Sequence, residues 1–582
     1  ASAALLYSVW GFRPTNSLVG NDSQTDLENS FYDPINDANS AQDQRVNPAI
    51  NLRNQNTLFK STNLIANAYA EYLFTPKLKL RVAGGINNSG YEANIFNSSL
   101  TQSGSKWSSA GPNGTYITSP SFNWLSDNTL TYTNTFNKDH HLTVLGGFSS
   151  QRNKSSYKYI YASQIKDETL GLDALDLVPA GNTTVSSNTS RWTLASLLGR
   201  LNYDYKGRYL LTASYRADGS SKFAPGKRWG YFPSASAAWK FKQESFMKDV
   251  NFISDGKIRI GYGESGNNRV SDFAYLPQLS LSQIQYWYSS NGSPVQIGAV
   301  TTAPGNYDLQ WETNKQTNIG LDLSFLKSRL GLTVDIYKRV TDNLLLNANL
   351  PYANGVQGGA GFKNIGSLEN RGLEITLNST NIQTKDFRWT SNFNISFNKN
   401  KILNLTEGQN SLLSGSGTFF NTTYTGLSPY ISVKGRSLGE MYGLVWDGVY
   451  QYGDFDKMPN GSYLLKPNIT TNGSSRTGVR PGDIKYKDLN GDLLVNADDY
   501  TIIGRGLPIH TGGFSNNFTY KNWDLGVFLQ WSYGNNIINA NRYVFEGGMG
   551  VNNLSLNQFA SFNNRWTPTN PSNDFPSPGR GS

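Results

Sequence analysis

Clustered side-chain oxygens are the residues in this sequence best placed to do chemistry. Asp488, Asn490, Asp492, Asn496 and Asp499 occupy positions 1, 3, 5, 9 and 12 of one stretch. That spacing gathers oxygens around calcium in EF-hand-type loops, because a hard cation needs several oxygen ligands together. Position 6 departs from the pattern, since Leu493 stands where the loop uses Gly, and position 12 carries Asp instead of Glu. An Asx-rich turn held by its own side chains accounts for the same letters without a metal. Calcium is the one cofactor the sequence suggests.

Aromatic residues in polar surroundings offer a second chemistry. Trp10, Trp107, Tyr286, Trp287, Tyr288 and Trp446 could stack on a sugar or peptide, since the face of a pyranose is apolar. The competing reading is packing within long loops or against a partner. Catalysis has little to work with. There is no Cys, and the only His are His140, His141 and His510. A general base is therefore scarce, and no Ser/His/Asp or Cys/His arrangement stands out. No enzyme is expected. Gly261, Gly263 and Gly266 match a dinucleotide fingerprint, but the region reads as a loop with no long helix after it. The net charge of +9 is dispersed, without a run of five basic residues, so a nucleic-acid partner has no footprint.

The elements that must carry these groups are β-strands. Gly is abundant at 57, with 33 Tyr, 29 Phe and 13 Trp, and the chain is also rich in Asn, Ser and Thr. This composition suits strands and polar loops far better than helices. No apolar run reaches the length of a transmembrane helix. Strict alternation recurs instead. Ile319, Leu321, Leu323 and Phe325 alternate with Gly320, Asp322 and Ser324. Leu332, Val334 and Ile336 alternate with Thr333, Asp335 and Tyr337. Leu525, Val527, Leu529 and Trp531 alternate with Gly526, Phe528 and Gln530. The mid-strand charges Arg200, Asp204, Arg259, Asp322, Asp335 and Glu374 all fall in the polar phase, as lipid on the other face would require.

The alternation predicts fourteen strands over 62–74, 77–87, 122–136, 140–152, 191–205, 208–217, 230–241, 256–262, 314–326, 329–340, 371–382, 387–398, 511–520 and 523–534. Short gaps such as Thr75-Pro76 and Lys206-Gly207 alternate with long ones, of which 399–510 is the largest. The 242–255 gap is longer than the other turns and has room for a helical turn near Glu244 to Lys248. Short turns at one end and long loops at the other are the pattern of bacterial outer-membrane barrels, whereas a compact soluble domain seldom carries so many long loops.

Four stretches resemble the carboxy-terminal barrel of the SusC/RagA-like TonB-dependent transporters of Bacteroidetes: residues 47–85, 209–248, 311–346 continued by 364–382, and 482–535. The resemblance implies an all-β fold, a transmembrane antiparallel barrel with long extracellular loops and short periplasmic turns. The whole of 1–582 then reads as part of one barrel domain, and 399–510 as a large extracellular loop region. It also implies import of an oligosaccharide or peptide across the outer membrane, with a SusD-like lipoprotein lid and a TonB complex as partners. The family's amino-terminal plug and TonB-contacting segment are not visible, nor is its final strand. The opening ASAALLYSVWGF has no basic start or cleavage segment. The chain is therefore expected to be the internal part of a longer protein, about fourteen strands of a probable 22. Two other readings stay open: a non-transporting outer-membrane receptor or adhesin barrel, and a secreted carbohydrate-binding β protein.

Overall fold

In the computed structural model the described residues are 47–105, 108–288, 296–349, 360–405, 409–414, 429–539 and 558–577, with Val9, Arg542 and Glu546. Fourteen strands form one antiparallel sheet in which neighbours in sequence are neighbours in space. They are β1 Gln55–Thr75, β2 Leu78–Asn97, β3 Asn113–Phe136, β4 His140–Ala162, β5 Thr183–Tyr205, β6 Tyr209–Ser220 and β7 Trp229–Trp239. The remainder are β8 Ile253–Asn267, β9 Glu312–Phe325, β10 Leu330–Asp342, β11 Ser367–Gln383, β12 Phe387–Asn404, β13 His510–Tyr520 and β14 Trp523–Tyr533. All fourteen expected strands are present. Most of them run further toward the long-loop end than alternation indicated, because above the lipid both faces are wet and the two-residue period fades. β4 has 23 residues, roughly 75 Å of extended chain, far more than the thickness of a bilayer's hydrocarbon.

Register turns the alternation into continuous rows. Ile258, Leu321, Val334, Ile375, Ile395, Gly512 and Trp531 lie side by side across β8 to β14. One residue along, on the opposite face, run Lys257, Asp322, Thr333, Thr376, Asn394, Gly513 and Gln530. The apolar face is not packed against a second sheet. Ile260, Ile319 and Ile336 share the next apolar row and are 53%, 51% and 57% exposed. A sandwich would bury such a row, so this face is the one that meets lipid.

Aromatic side chains end the apolar band near the short turns. Tyr205 and Tyr209 stack at 6.2 Å, Trp389 stacks on Phe518 at 5.5 Å, and Trp523 is largely exposed. The 242–255 connection holds short 3-10 turns at Phe241–Gln243 and Ser245–Met247. Between them the Glu244 carboxylate accepts hydrogen bonds from Tyr209 Oη at 2.8 Å and Trp239 Nε1 at 3.2 Å. These donors, with Arg208, hold its carboxyl below the usual range. The turn from Tyr205 to Tyr209 uses left-handed backbone, with φ of 55° at Lys206 and 66° at Gly207, and the Arg208 N–H closes it on the Tyr205 carbonyl at 3.0 Å. The Gly261–Gly266 stretch lies inside β8. It is strand, not the loop its composition suggested, and no helix follows it.

Candidate functional site: the polar face and its loops

The polar face is built from cross-strand rows that mostly satisfy one another. Arg259 on β8 reaches over β9, donating from Nε to Asp322 at 2.8 Å and from Nη2 to Asp335 on β10 at 3.1 Å. Lys257 Nζ lies 3.0 Å from Asp322, and Thr333 donates to the same carboxylate at 3.2 Å. Gly320 lies between Arg259 and Asp335. A Cβ there would come 2.5 Å from the guanidinium and 2.6 Å from the Asp335 carboxylate, so the absence of a side chain lets the arginine cross. Nearby, Arg216 binds Asp218 at 2.7 Å and Ser196 at 2.9 Å. Tyr337 donates to Asn398 at 3.1 Å, and Arg339 to Gln316 at 2.7 Å. Charges paired in this way present many weak hydrogen-bonding positions and few isolated ones. A polar solute can exchange along such a wall without being trapped.

Above this face the long loops carry two buried clusters among the described residues. Phe223, Phe232, Val270, Ala274, Leu309 and Trp311 form one. Phe232 comes from the polar phase of β7, next to Ser234, and Trp311 Nε1 donates to the Arg228 carbonyl at 2.8 Å. Sequence reading missed this cluster. Its signal was a large aromatic residue standing in an otherwise small and polar phase (Gly230, Phe232, Ser234, Ser236). Tyr450, Phe455, Leu465 and Val479 form the second cluster, inside the 399–510 region. Trp566 closes over that unit, donating to Gln451 at 2.9 Å.

Trp446 is described and 42% exposed, on a short strand, Trp446–Val449, paired with Ile484–Tyr486. Tyr286, Trp287 and Tyr288 lie on the strand Gln278–Tyr288, but their side chains, like Trp10 and Trp107, are outside the described residues. The three His serve the wall: His140 meets Tyr203 at 2.6 Å, His141 meets Thr135 at 2.9 Å, and His510 accepts from Trp531 at 3.2 Å.

The acidic loop folds on its own backbone. Asp488 accepts from the N–H groups of Gly491 at 2.6 Å and Leu493 at 2.8 Å. Asp499 has no solvent exposure and accepts from Asn496 and Leu489, each at 2.8 Å. Asn490 and Asn496 cap the residues two positions on. Among the described residues, no group of three or more His, Asp or Glu converges as a metal-ligand set. Those backbone donors, Asn496 foremost and then Leu489, hold the Asp499 carboxyl below its usual range. A depressed folded-state value stabilises the loop above about pH 3.9, the ordinary Asp value, and that contribution disappears as pH falls through the folded value. Amide-exchange protection across 488–499 is therefore expected to hold at neutral pH and to drop below about pH 4.

Leu493 has φ of 64°, in the left-handed region that costs a side-chain-bearing residue about 1–2 kcal/mol. Leu493→Gly is expected to relieve that strain against a smaller unfolded-state penalty. The outcome is a gain of roughly 0.5–1 kcal/mol in local opening free energy, read by amide exchange at 488–499.

The sequence model described as TonB dependent receptor-like, beta-barrel matches residues 9–569. TonB-dependent receptor P3 of Formosa agariphila is 33% identical over 524 residues, covering 89% of this chain and 48% of that protein. TonB-dependent receptor SusC of Bacteroides thetaiotaomicron is 33% identical over 353 residues, 60% of this chain and 32% of that protein. Among solved structures, that of the RagAB peptide transporter superposes with a TM-score of 0.74 at 21% identity, covering 92% of this chain and 54% of the matched chain. The chain spans about half the length of the curated relatives that match it over most of its residues.

Proposed function

The chain belongs to the TonB-dependent receptor-like β-barrel family of the outer membrane, and from that membership we propose that it forms the wall of a SusC/RagA-type nutrient importer. The solute enters among the long loops, passes along the paired polar rows of the inner face, and is driven by a TonB complex. A SusD-like lipoprotein closes over the loops from outside. The bilayer also requires that β1 and β14, the two edges of the sheet, be paired, since an open edge is not tolerated in hydrocarbon. One observation carries this reading: the apolar rows face outward and exposed while the charged residues interleaved with them, Lys257, Arg259, Asp322 and Asp335, pair on the opposite face.

An oligosaccharide or a peptide fits that inner face. The exposed Trp446, and Trp107, Tyr286, Trp287 and Tyr288 from other loops, are proposed as its stacking platforms. Deletion of the gene is expected to abolish growth on one nutrient within a panel of glycans and peptides, and a lipoprotein is expected to co-purify with the intact protein. Undiminished growth on every member of the panel, with no lipoprotein recovered, would sink the proposal.

A further inference from the structure

The outward face changes character where the apolar band ends. Its last apolar row on this side runs Ile319, Ile336, Leu373 and Phe397, across β9 to β12. The next outward positions, about 7 Å further along each strand, are Thr317, Lys338, Arg371 and Lys399. Lys401 follows one row higher, opposite Glu369. This lies at the long-loop end, because β9 and β10 are joined by a short turn at the other end. Lys338 and Arg371 are therefore outside the lumen, directly above lipid-facing Ile336 and Leu373.

A groove occupies this place. Its floor is the apolar row, and Ile503 and Ile509 from the loop ahead of β13 form a side wall. Around it stand Lys338, Arg371, Lys399, Lys401, Arg436 and Arg505. Two carboxylates oppose these six cations among the described residues. Glu369 lies 3.2 Å from Lys338 and 2.5 Å from Arg371, and Glu440 lies 2.8 Å from Arg436. With one acid between two bases, Glu369 positions Lys338 and Arg371 without cancelling both. Lys399, Lys401 and Arg505 have no carboxylate partner among the described residues.

We propose that this groove binds a phosphorylated lipid of the outer leaflet, its phosphate held by Lys338, Arg371 and Lys399 and its acyl chains lying on Ile336, Leu373 and Phe397. Charge complementarity selects the occupant. A zwitterionic lipid would leave the excess cations unneutralised, and a soluble anion would not use the apolar floor. Arg in particular grips phosphate through two parallel N–H donors. The inference does not depend on what is imported, since the groove is on the opposite face from the lumen.

The test is native mass spectrometry of the full protein, extracted from outer membrane in mild detergent and titrated with diphosphoryl lipid A, its dephosphorylated form, phosphatidylethanolamine or inorganic phosphate. Lipid A is expected to bind at least about tenfold tighter than the dephosphorylated form (tenfold being the effect of about 1.4 kcal/mol). K338Q/R371Q/K399Q is expected to lose that preference. A control, K138Q/K206Q, alters cations at the short-turn end and is expected to keep it. Unchanged heat-modifiable migration on gels confirms that both variants are folded. Equal binding of both lipid forms would overturn the proposal. So would displacement by millimolar inorganic phosphate, which marks a free-anion site, or equal loss in the control.

Discussion

Val334→Arg is expected to cost about 2–4 kcal/mol of stability in a lipid bilayer, the penalty for a basic side chain facing hydrocarbon near the midplane. Val334 stands in the apolar row between Leu321 and Ile375, with further apolar rows toward both ends of its strand. Its guanidinium would have to snorkel past Ile336 to reach the basic row at Lys338. Thr376→Arg on the adjacent strand makes a change of similar size on the polar face, beside Thr333 and Asn394. That variant is expected to stay within about 1 kcal/mol of the parent, as changes on the lumen side carry no lipid penalty. Urea unfolding from vesicles measures both. Equal costs would mean that the two faces see the same solvent, and the membrane orientation would fail.

Much of this wall could be read from the sequence because lipid enforces the alternation there. At Leu321, Asp322 and Leu323 a single slip would put a carboxylate into hydrocarbon, so the pattern is strict and the strand is visible. The same constraint puts Arg259, Asp322 and Asp335 on one face from sequence alone, although not that Gly320 is the position over which Arg259 crosses. Farther up, the constraint lifts. The segment Gln151–Ala162 continues β4 with polar residues on both faces as far as Ser156, and that stretch hides the strand-favouring Tyr157, Tyr159 and Tyr161 beyond it. Short turns were legible from their brevity and from Lys-Gly and Asn-Lys pairs. The three successive left-handed residues Leu326, Lys327 and Ser328, with φ of 53°, 56° and 64°, carry no such mark, since none is Gly.

The loops were legible only as loops. Their order rests on contacts between segments far apart in the chain, such as Trp311 with Phe223 and Phe232, and no local period encodes those. The acidic loop shows the limit from the other side. Its oxygens sit at calcium spacing, and Asp488 and Asp499 also accept backbone N–H groups, bonds that the spacing alone did not reveal.

Trp311→Ala is expected to produce the largest change in the loops. The indole is 8% exposed, lies 5.5 Å from the Phe223 ring and 5.6 Å from Phe232, and satisfies the Arg228 carbonyl. Truncating a buried Trp removes its transfer free energy and leaves a cavity, about 3–5 kcal/mol together. The Arg228 carbonyl also loses one of its two donors, keeping the Ser220 N–H at 3.0 Å. The strands below have their own backbone ladder, so the loss should be local. Residues 221–228 and 268–276, which close over the indole, are expected to lose amide-exchange protection and gain protease sensitivity, while β6 to β9 keep theirs below the rim. Gly230 and Gly266 set the geometry, because a Cβ at either would fall within 3 Å of these rings. Trp311→Phe retains an aromatic side chain but not the N–H, so it should recover most of the protection. Were Trp311→Ala to leave both segments as protected as before, the cluster would not be what orders the loops. If it unfolded the whole wall instead, rim and barrel would be one cooperative unit.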